Sequence, residues 1–380
     1  MNSSDKPNIQ IFSNSLEKEE LEAVRRVFDS KWVGRGKECS SFETELAQFW
    51  SVPKVFLFNC CSSAIAIGLR ALGLKAGDEV IIPSLNFVAI PNAVLELGAK
   101  PVFADVDPVY FHITPAEIER LKTPKTRAVF LLHYGGHAVD FDAVKAACGP
   151  SVRILEDSAN AVSSSYKGTA CGALGDIGVM SFDAMKMLVM GDGGAMIVKD
   201  KALWSKIESL RYLGFSETTT SGTDAMKKGA GRWWEFQVDQ PSGRFISNDI
   251  LAAIGRVQLK KLPGFIDRRR KVWALYQKLL KGLPGLTLPP EPRPDTQSSC
   301  YLYWLRLQKR DALAHHLKEK GIYTTFRYFP LHLVKSYGHK GSLKNSEAIN
   351  ETTLNLPIHQ NLTDAEVTYI ADSIREFFKA

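Results

Sequence analysis

Lys186 stands at the end of the run Met180-Ser181-Phe182-Asp183-Ala184-Met185-Lys186, just before Gly191-Asp192-Gly193-Gly194. Its neighbours in sequence include Met180, Met185, Met187, Leu188, Val189 and Met190, and an ammonium buried among such side chains would be costly. The side chain therefore either snorkels to water beside a Gly-rich turn or works as a neutral amine. A desolvated amine is a nucleophile toward carbonyls, so the second reading is imine chemistry.

A second chemical group lies upstream. Val152-Arg153-Ile154-Leu155-Glu156-Asp157 reads as a short buried strand that ends in two carboxylates. Acids at the carboxyl end of a parallel strand face the crevice where open α/β sheets bind ligands. Asp157 is then a candidate partner for a protonated pyridine nitrogen, the contact that makes pyridoxal phosphate an electron sink. It could equally cap a following helix. An anion site should accompany the pair. Val55 to Phe58 reads as a strand, and Ser62-Ser63-Ala64-Ile65-Ala66-Ile67-Gly68-Leu69 as the opening of an amphipathic helix. Small hydroxyl residues at a helix N-terminus supply donors where the helix dipole already favours an anion. Ser62 and Ser63 are thus candidate phosphate ligands, and Ser181, at the end of the strand Ile177 to Met180, is a third; each alone reads as well as a cap.

Together, these residues resemble the fold-type I pyridoxal phosphate enzymes of the DegT/StrS sugar aminotransferase group. The resemblance runs over nearly the whole chain. Its carriers are Trp32-Val33-Gly34-Arg35-Gly36 with Phe42-Glu43, Ala76 to Ser84, Gly98 to Asp107, Leu155-Glu156-Asp157, Ser181-Phe182 with Lys186, and Asn248 to Gly255 with Gln258-Leu259. Many segments in the right order carry weight that none has alone. The resemblance implies that Lys186 is the internal-aldimine lysine and general acid/base, that Asp157 meets the pyridine nitrogen, and that Ser62, Ser63 and Ser181 contact the phosphate. It puts Phe87 against the cofactor face, where the sequence also allows a core phenylalanine opening a helix.

The departures from the family pattern are as specific as the matches. Asn160 stands where Gln or His is usual near the cofactor's phenolic oxygen, and an amide can donate there. Asp183 replaces a common His. The segment that the family sends into the neighbouring subunit's site, Gly-Tyr-Asn-Tyr-Arg, reads here Ser242-Gly243-Arg244-Phe245-Ile246, which makes Arg244 the candidate cross-subunit phosphate contact. Arg327-Tyr328-Phe329-Pro330 replaces His-Tyr-x-Pro.

The resemblance implies a homodimer with shared active sites that aminates a keto sugar, commonly nucleotide-linked, with an amino-acid donor such as L-glutamate. Two alternatives stand beside it. Dehydratases of the same fold use the pyridoxamine form but replace the lysine with histidine, and Lys186 argues against them. A catalytically silent, cofactor-binding regulatory protein would not need both Lys186 and Asp157.

Composition agrees. The 380 residues are 45% hydrophobic and 23% charged, an ordinary soluble balance. The net charge of +7 suits an anionic substrate, and no basic run with interleaved aromatics, helix-turn-helix signature or zinc spacing points to nucleic acid. The 6 cysteines form no C-x-x-C pair, the N-terminus lacks an apolar signal segment, and no apolar run is long enough to span a bilayer, so a cytoplasmic protein without metal or membrane is expected. His315-His316 lacks a third ligand nearby.

Short β-rich runs alternate with helical patterns up to about residue 200, which predicts an α/β fold: a mostly parallel, doubly wound sheet in a large domain of residues 1–250 and a smaller α+β C-terminal domain of residues 251–380. The strands expected in the second domain are Tyr301 to Leu307 and Tyr323 to Phe329. Phe215 to Gly243 breaks the rhythm with a polar, turn-rich stretch followed by Arg232-Trp233-Trp234-Glu235-Phe236, an expected active-site or dimer-interface loop.

Overall fold

The computed structural model describes residues 7–216 and 234–379, so most of the polar part of the expected loop, with Trp233, lies outside the described residues. Runs of Val, Ile, Leu and Phe, buried on both faces, form a seven-stranded sheet. In chain order its strands are β1 (Val55–Phe58), β2 (Glu79–Pro83), β3 (Lys100–Ala104), β4 (Thr126–Leu132), β5 (Arg153–Asp157) and, after the small hairpin β6 (Ser165–Tyr166) and β7 (Thr169–Ala170), β8 (Ile177–Ser181) and β9 (Gly194–Val198). The spatial order is β1-β9-β8-β5-β4-β2-β3. β9 runs antiparallel to both its neighbours, and the remaining pairs are parallel.

Alternation along the strands builds one core on each face of the sheet. Val80, Ile82, Ala128 and Phe130 pack with α3 (Cys61–Ala71), α4 (Ala89–Glu96) and α7 (Trp204–Arg211). The intervening Ile81, Val129 and Leu131 pack with α5 (Pro115–Leu121) and α6 (Phe141–Cys148). Ahead of the sheet in sequence lie α1 (Lys18–Asp29) and α2 (Lys37–Phe49), and both pack on the long helix α8 (Asp249–Leu280).

α8 leads into a second core around Val272, Tyr276, Leu305, Leu313, Leu317, Ile370 and Ile374. The elements there are a short β10 (Thr296–Gln297), β11 (Tyr303–Arg306), α9 (Arg310–Glu319), α10 (Lys344–Thr352), β12 (Thr353–Leu356) and α11 (Asp364–Lys379). The N-terminal Ile9 joins this core, donating to Gly321 O at 2.9 Å and accepting from Tyr323 N at 2.9 Å. The expected strand Tyr323 to Phe329 does not form: only Thr325 makes an isolated bridge there, and β11 pairs with β12. Thr325 exchanges main-chain bonds with Asn355, but the next available N–H, of Arg327, goes to Asn355 Oδ1 at 2.8 Å, and Pro330 has none to give. The ladder stops after one residue and the chain turns toward the sheet.

Segments far apart in sequence are tied by buried polar groups. Asp249 accepts from Gly36 N (2.7 Å), Cys39 N (3.0 Å) and Glu38 N (3.2 Å), capping α2 from the start of α8. Glu43 of α2 accepts from Leu57 N at 2.8 Å and pairs at 2.6 Å with Arg211, a side chain with no exposed surface that also donates to Leu57 O at 2.9 Å. Arg211 also meets Glu208 Oε2 at 2.5 Å, so removing Glu43 leaves the guanidinium one carboxylate and strips the buried Leu57 N–H of its acceptor. Glu43→Ala should therefore lower the urea midpoint, by less than the about 3–5 kcal/mol of a buried pair broken outright; an unchanged midpoint would show that Glu208 alone compensates Arg211.

Candidate active site

The C-terminal ends of β1, β2, β5 and β8 share one edge of the sheet, and a cavity of about 510 Å³ opens there. Its lining includes Cys61, Ser62, Phe87, Asp157, Ser181 and Lys186 from the large sheet's side, and Arg327 and Tyr328 from the chain after α9. Open α/β sheets bind ligands at this edge.

Strand alternation sorts the two acids of β5. Glu156, fully buried, accepts from His133 Nε2 (2.9 Å) and from the main-chain N–H of Gly172 (2.8 Å), Leu174 (2.7 Å) and Gly175 (2.6 Å). Val139 N–H donates to His133 Nδ1 at 3.1 Å, so the proton on this imidazole sits on Nε2 and faces Glu156. Asp157 turns the other way, into the cavity. No helix follows it, and instead of capping one it accepts the N–H of Ala159 at 3.0 Å, a local turn that leaves its other oxygen free. Burial holds the Asp157 carboxyl above the usual aspartate range, against the Ala159 N–H and the Lys186 charge, which pull it down.

Lys186 differs from the neutral amine that its sequence neighbours suggest. Burial pushes its pKa down, but Tyr301, Tyr328, Asp157 and Cys61 outweigh burial and hold the free amine above the ordinary lysine range. Its Nζ lies 5.0 Å over the Tyr301 ring. The methionines close in sequence are not its surroundings, since Met180, Met187 and Met190 are buried in the core while Met185 is half exposed.

The start of α3 is the candidate anion site. Cys60 is the N-cap, its sulfur accepting from Ser63 N at 3.4 Å, and Ala64 N goes to Cys60 O. The N–H groups of Cys61 and Ser62 have no acceptor among the described residues, as expected for the first turn of a helix. Gly194, across from both Phe58 and Ser181, permits this arrangement, since a Cβ there would fall 2.5 Å from Cys61 N. The sequence alone explained that glycine as a turn. Ser62 and Ser181 line the cavity, whereas Ser63 does not, its hydroxyl lying 3.2 Å from Cys60 Sγ. Burial, then the Asp157 charge, push the Cys61 thiol well above the ordinary range, so it stays protonated.

Phe87 is 53% exposed at the cavity wall, too open for a core phenylalanine, and its ring faces Tyr328 at 6.1 Å. Asn160 sits one layer back. Its Nδ2 donates to the Tyr328 hydroxyl at 3.2 Å, and its buried Oδ1 has no partner. The Tyr328 hydroxyl, accepting that bond, is free to donate into the cavity, and burial keeps it protonated. Arg244 is exposed, lies 5.8 Å over Tyr212 and is absent from the lining. Sequence reasoning missed Phe12 and Tyr301, and it named Tyr328 only within the Arg327-Tyr328-Phe329-Pro330 run, without a role of its own. Phe12 stacks on Tyr301 at 5.5 Å and lies 4.7 Å from the Arg327 guanidinium, so the N-terminal segment packs behind the wall of the site. Nothing local in the sequence signals this.

The segment 327–332 is pinned from behind. Ser84, at the end of β2, meets His332 Nδ1 at 2.6 Å, and His332 Nε2 meets Glu347 of α10 at 3.1 Å. Leu331 N also donates to Ser84 O at 2.8 Å. The strand end that carries Phe87 is thereby joined to the segment that carries Arg327 and Tyr328.

Residues 14–375 match the DegT/DnrJ/EryC1/StrS aminotransferase family. A protein of Saccharopolyspora spinosa named dTDP-4-dehydro-2,3,6-trideoxy-D-glucose 4-aminotransferase is 43% identical over 377 residues, 98% of this chain and 96% of the relative. The crystal structure of the aminotransferase TlmJ from Streptoalloteichus hindustanus superposes with a TM-score of 0.91 at 43% identity, covering 97% of this chain and 98% of TlmJ. The PMP-form structure of the putative sugar aminotransferase Spr1654 from Streptococcus pneumoniae gives a TM-score of 0.91 at 25% identity, covering 98% of this chain and 99% of that one.

An aspartate whose pKa is raised by folding binds its proton more readily in the fold than in the unfolded chain, so it costs stability once the pH exceeds the ordinary range near 4. In protein stripped of small molecules, Asp157→Asn should be at least as stable as the parent at about pH 7, the advantage fading toward about pH 4. Thermal midpoints across that range check this; a parent that gains on the variant as pH rises would mean that Lys186 overcompensates the anion.

Proposed function

The chain belongs to the DegT/DnrJ/EryC1/StrS aminotransferase family and is a pyridoxal phosphate-dependent sugar aminotransferase, and from that premise we propose that it converts a nucleotide-linked keto sugar to an amino sugar with L-glutamate as nitrogen donor. The observation that carries this reading is that the Lys186 amine, the free oxygen of Asp157 and the unpaired N–H groups of α3 face one cavity. The name of the Saccharopolyspora spinosa relative supports the nucleotide-linked acceptor.

These residues fit the cofactor's chemistry. The Cys61 and Ser62 N–H groups, with the Ser62 and Ser181 hydroxyls, would hold its phosphate. Asp157, uncomfortable as a lone buried anion, would hold a proton on its ring nitrogen. Phe87 would cover a ring face, and the Tyr328 hydroxyl, oriented by Asn160, would donate to its phenolic oxygen. When bound, pyridoxal phosphate supplies an aldehyde for exchange of amines and an electron sink for the carbanion. Lys186 provides the covalent tether and, once released, carries the proton to and from the reacting carbon, work that typically contributes about 10²- to 10⁴-fold. Tyr301, stacked on Phe12, keeps that amine in place.

Arg244 lies outside its own chain's cavity, which supports its assignment to the phosphate of a second copy and hence a homodimer with shared sites. Trp234 and Phe236, 62% and 65% exposed, support an interface role for the part of the loop that is described. The separate core beyond α8 supports the division into lobes of residues 1–250 and 251–380, with Ile9 reaching across to the second. Free cysteines support a cytoplasmic location.

Two outcomes test this reading. Borohydride reduction and digestion should leave pyridoxyl on the Lys186 peptide, as mass spectrometry would show; a label on another lysine would sink the assignment. Arg244→Ala should weaken cofactor binding by roughly 10- to 150-fold, the scale of a charge-assisted contact. Mixing it with Lys186→Ala subunits should restore some activity, because one site of each heterodimer regains both groups. No recovery after confirmed subunit exchange would place both residues in one chain's site.

A further inference from the structure

Arg269 is a buried cation that the chemistry of the site leaves unexplained. It lies on α8, and no carboxylate pairs with it among the described residues. Burial brings its pKa down to about 10, so it remains a cation near neutral pH. A buried charge without a counter-ion is costly, and the donors here go to main-chain carbonyls instead. One terminal nitrogen donates to Ile358 O at 2.9 Å and makes longer contacts with Tyr301 O at 3.4 Å and Cys300 O at 3.5 Å. Two loops far apart in sequence thus meet on one guanidinium.

Each loop leads to Lys186. Cys300 stands at φ 50°, in the left-handed region that a non-glycine residue keeps only where its surroundings hold it, and Tyr301 follows directly. The Lys186 Nζ lies 5.0 Å over the Tyr301 ring. From the other loop, Ile358 N donates to Ile11 O at 3.4 Å, Gln360 Nε2 to Ser13 O at 3.0 Å and Asn361 Nδ2 to Asn14 O at 2.9 Å, which fastens the N-terminal strap of residues 9–15. Burial, then the Arg269 charge, lower the His359 pKa to about 4, so that imidazole is neutral and donates from Nε2 to Gln10 O at 3.2 Å. Phe12 projects from this strap and stacks on Tyr301, with ring centres 5.5 Å apart and planes 19° apart. We propose that Arg269 is a positioning residue for the Lys186 amine: by fixing the turn that carries Tyr301 and the loop that holds Phe12, it fixes the place where the free ammonium rests against the Tyr301 ring. The kinetic consequence rests on the aminotransferase reading above; the placing of the free amine does not.

The first measurement uses the full chain stripped of cofactor. Reductive methylation with isotope-labelled formaldehyde makes each lysine amine visible by NMR, and the Lys186 signal is identified by its loss in Lys186→Arg. In the parent this signal should lie upfield of the other lysines, because the ring current of Tyr301 shields a group over its face. In Arg269→Met and in Phe12→Leu it should return to the position of exposed lysines, and Arg269→Lys, a point charge without the fork, should fall between. Tyr301→Phe should keep the displacement, and Tyr301→Leu should abolish it. A merely structural Arg269 would lower the thermal midpoint and leave the Lys186 signal of the folded protein in place, which overturns the assignment; a parent signal without displacement overturns it as well. Phe12→Leu carries the test if Arg269→Met does not fold. The second measurement is single turnover of the cofactor-loaded enzyme with L-glutamate. A misplaced amine should slow conversion at saturation by about 10²-fold and leave the half-saturating concentration little changed. An unchanged rate at saturation overturns the positioning role, whereas pyridoxyl found on another lysine overturns the aminotransferase reading and leaves the cofactor-free result standing.

Discussion

The site depends on how one strand disposes of two adjacent acids. A carboxylate buried as deeply as Glu156 is tolerated because four donors surround it, and three of these are main-chain N–H groups from the turn before β8. Glu156 therefore locks β5 in register with β4 and β8 and fixes which face each acid takes. With a period of two, Asp157 must then face the cavity. A slip of one residue would exchange their roles and leave an anion in the core without donors.

The same edge is narrowed by contacts that only small groups permit. Gly194 brings β9 against the backbone of Cys60 and Cys61, which places the open N–H groups of α3 beside Ser181. The opposite wall comes from the chain after α9, and its placement is polar: Ser84 and the buried His332 link the end of β2 to Glu347 of α10, whose side chain is partly exposed. Tyr328 and Arg327 owe their position to that link and to Asn355, so the reacting centre sits where two cores meet.

Much of this was legible in sequence. The seven strands of the large sheet are near-continuous apolar runs punctuated by turns, and a doubly wound sheet puts their carboxyl ends together, so Lys186, Asp157, Ser62 and Ser181 could be named from position and chemical type. What could not be read was tertiary. Phe12 reaches the site only because Ile9 binds the second core, Tyr301 because the chain before β11 passes over Lys186, and β12 went unrecognised because its partner depends on where Thr325 to Pro330 turns away. Ser63 could not be placed by local reasoning: its type and position suit a phosphate ligand, and the structure puts its hydroxyl 3.2 Å from Cys60 Sγ, away from the cavity lining.

The electrostatics of Lys186 and Asp157 connect the protein without cofactor to the protein with it. Alone, each would be a poor occupant of a buried site; together, the ammonium lowers the cost of the carboxylate and the carboxylate helps to hold the ammonium. Were Lys186 tied to the cofactor, as proposed, Asp157 would lose that counter-charge, and a proton held on the cofactor's ring nitrogen would supply another. On that reading an acid suits this position better than an amide, because an anion would favour keeping the ring nitrogen protonated once Lys186 is no longer its partner.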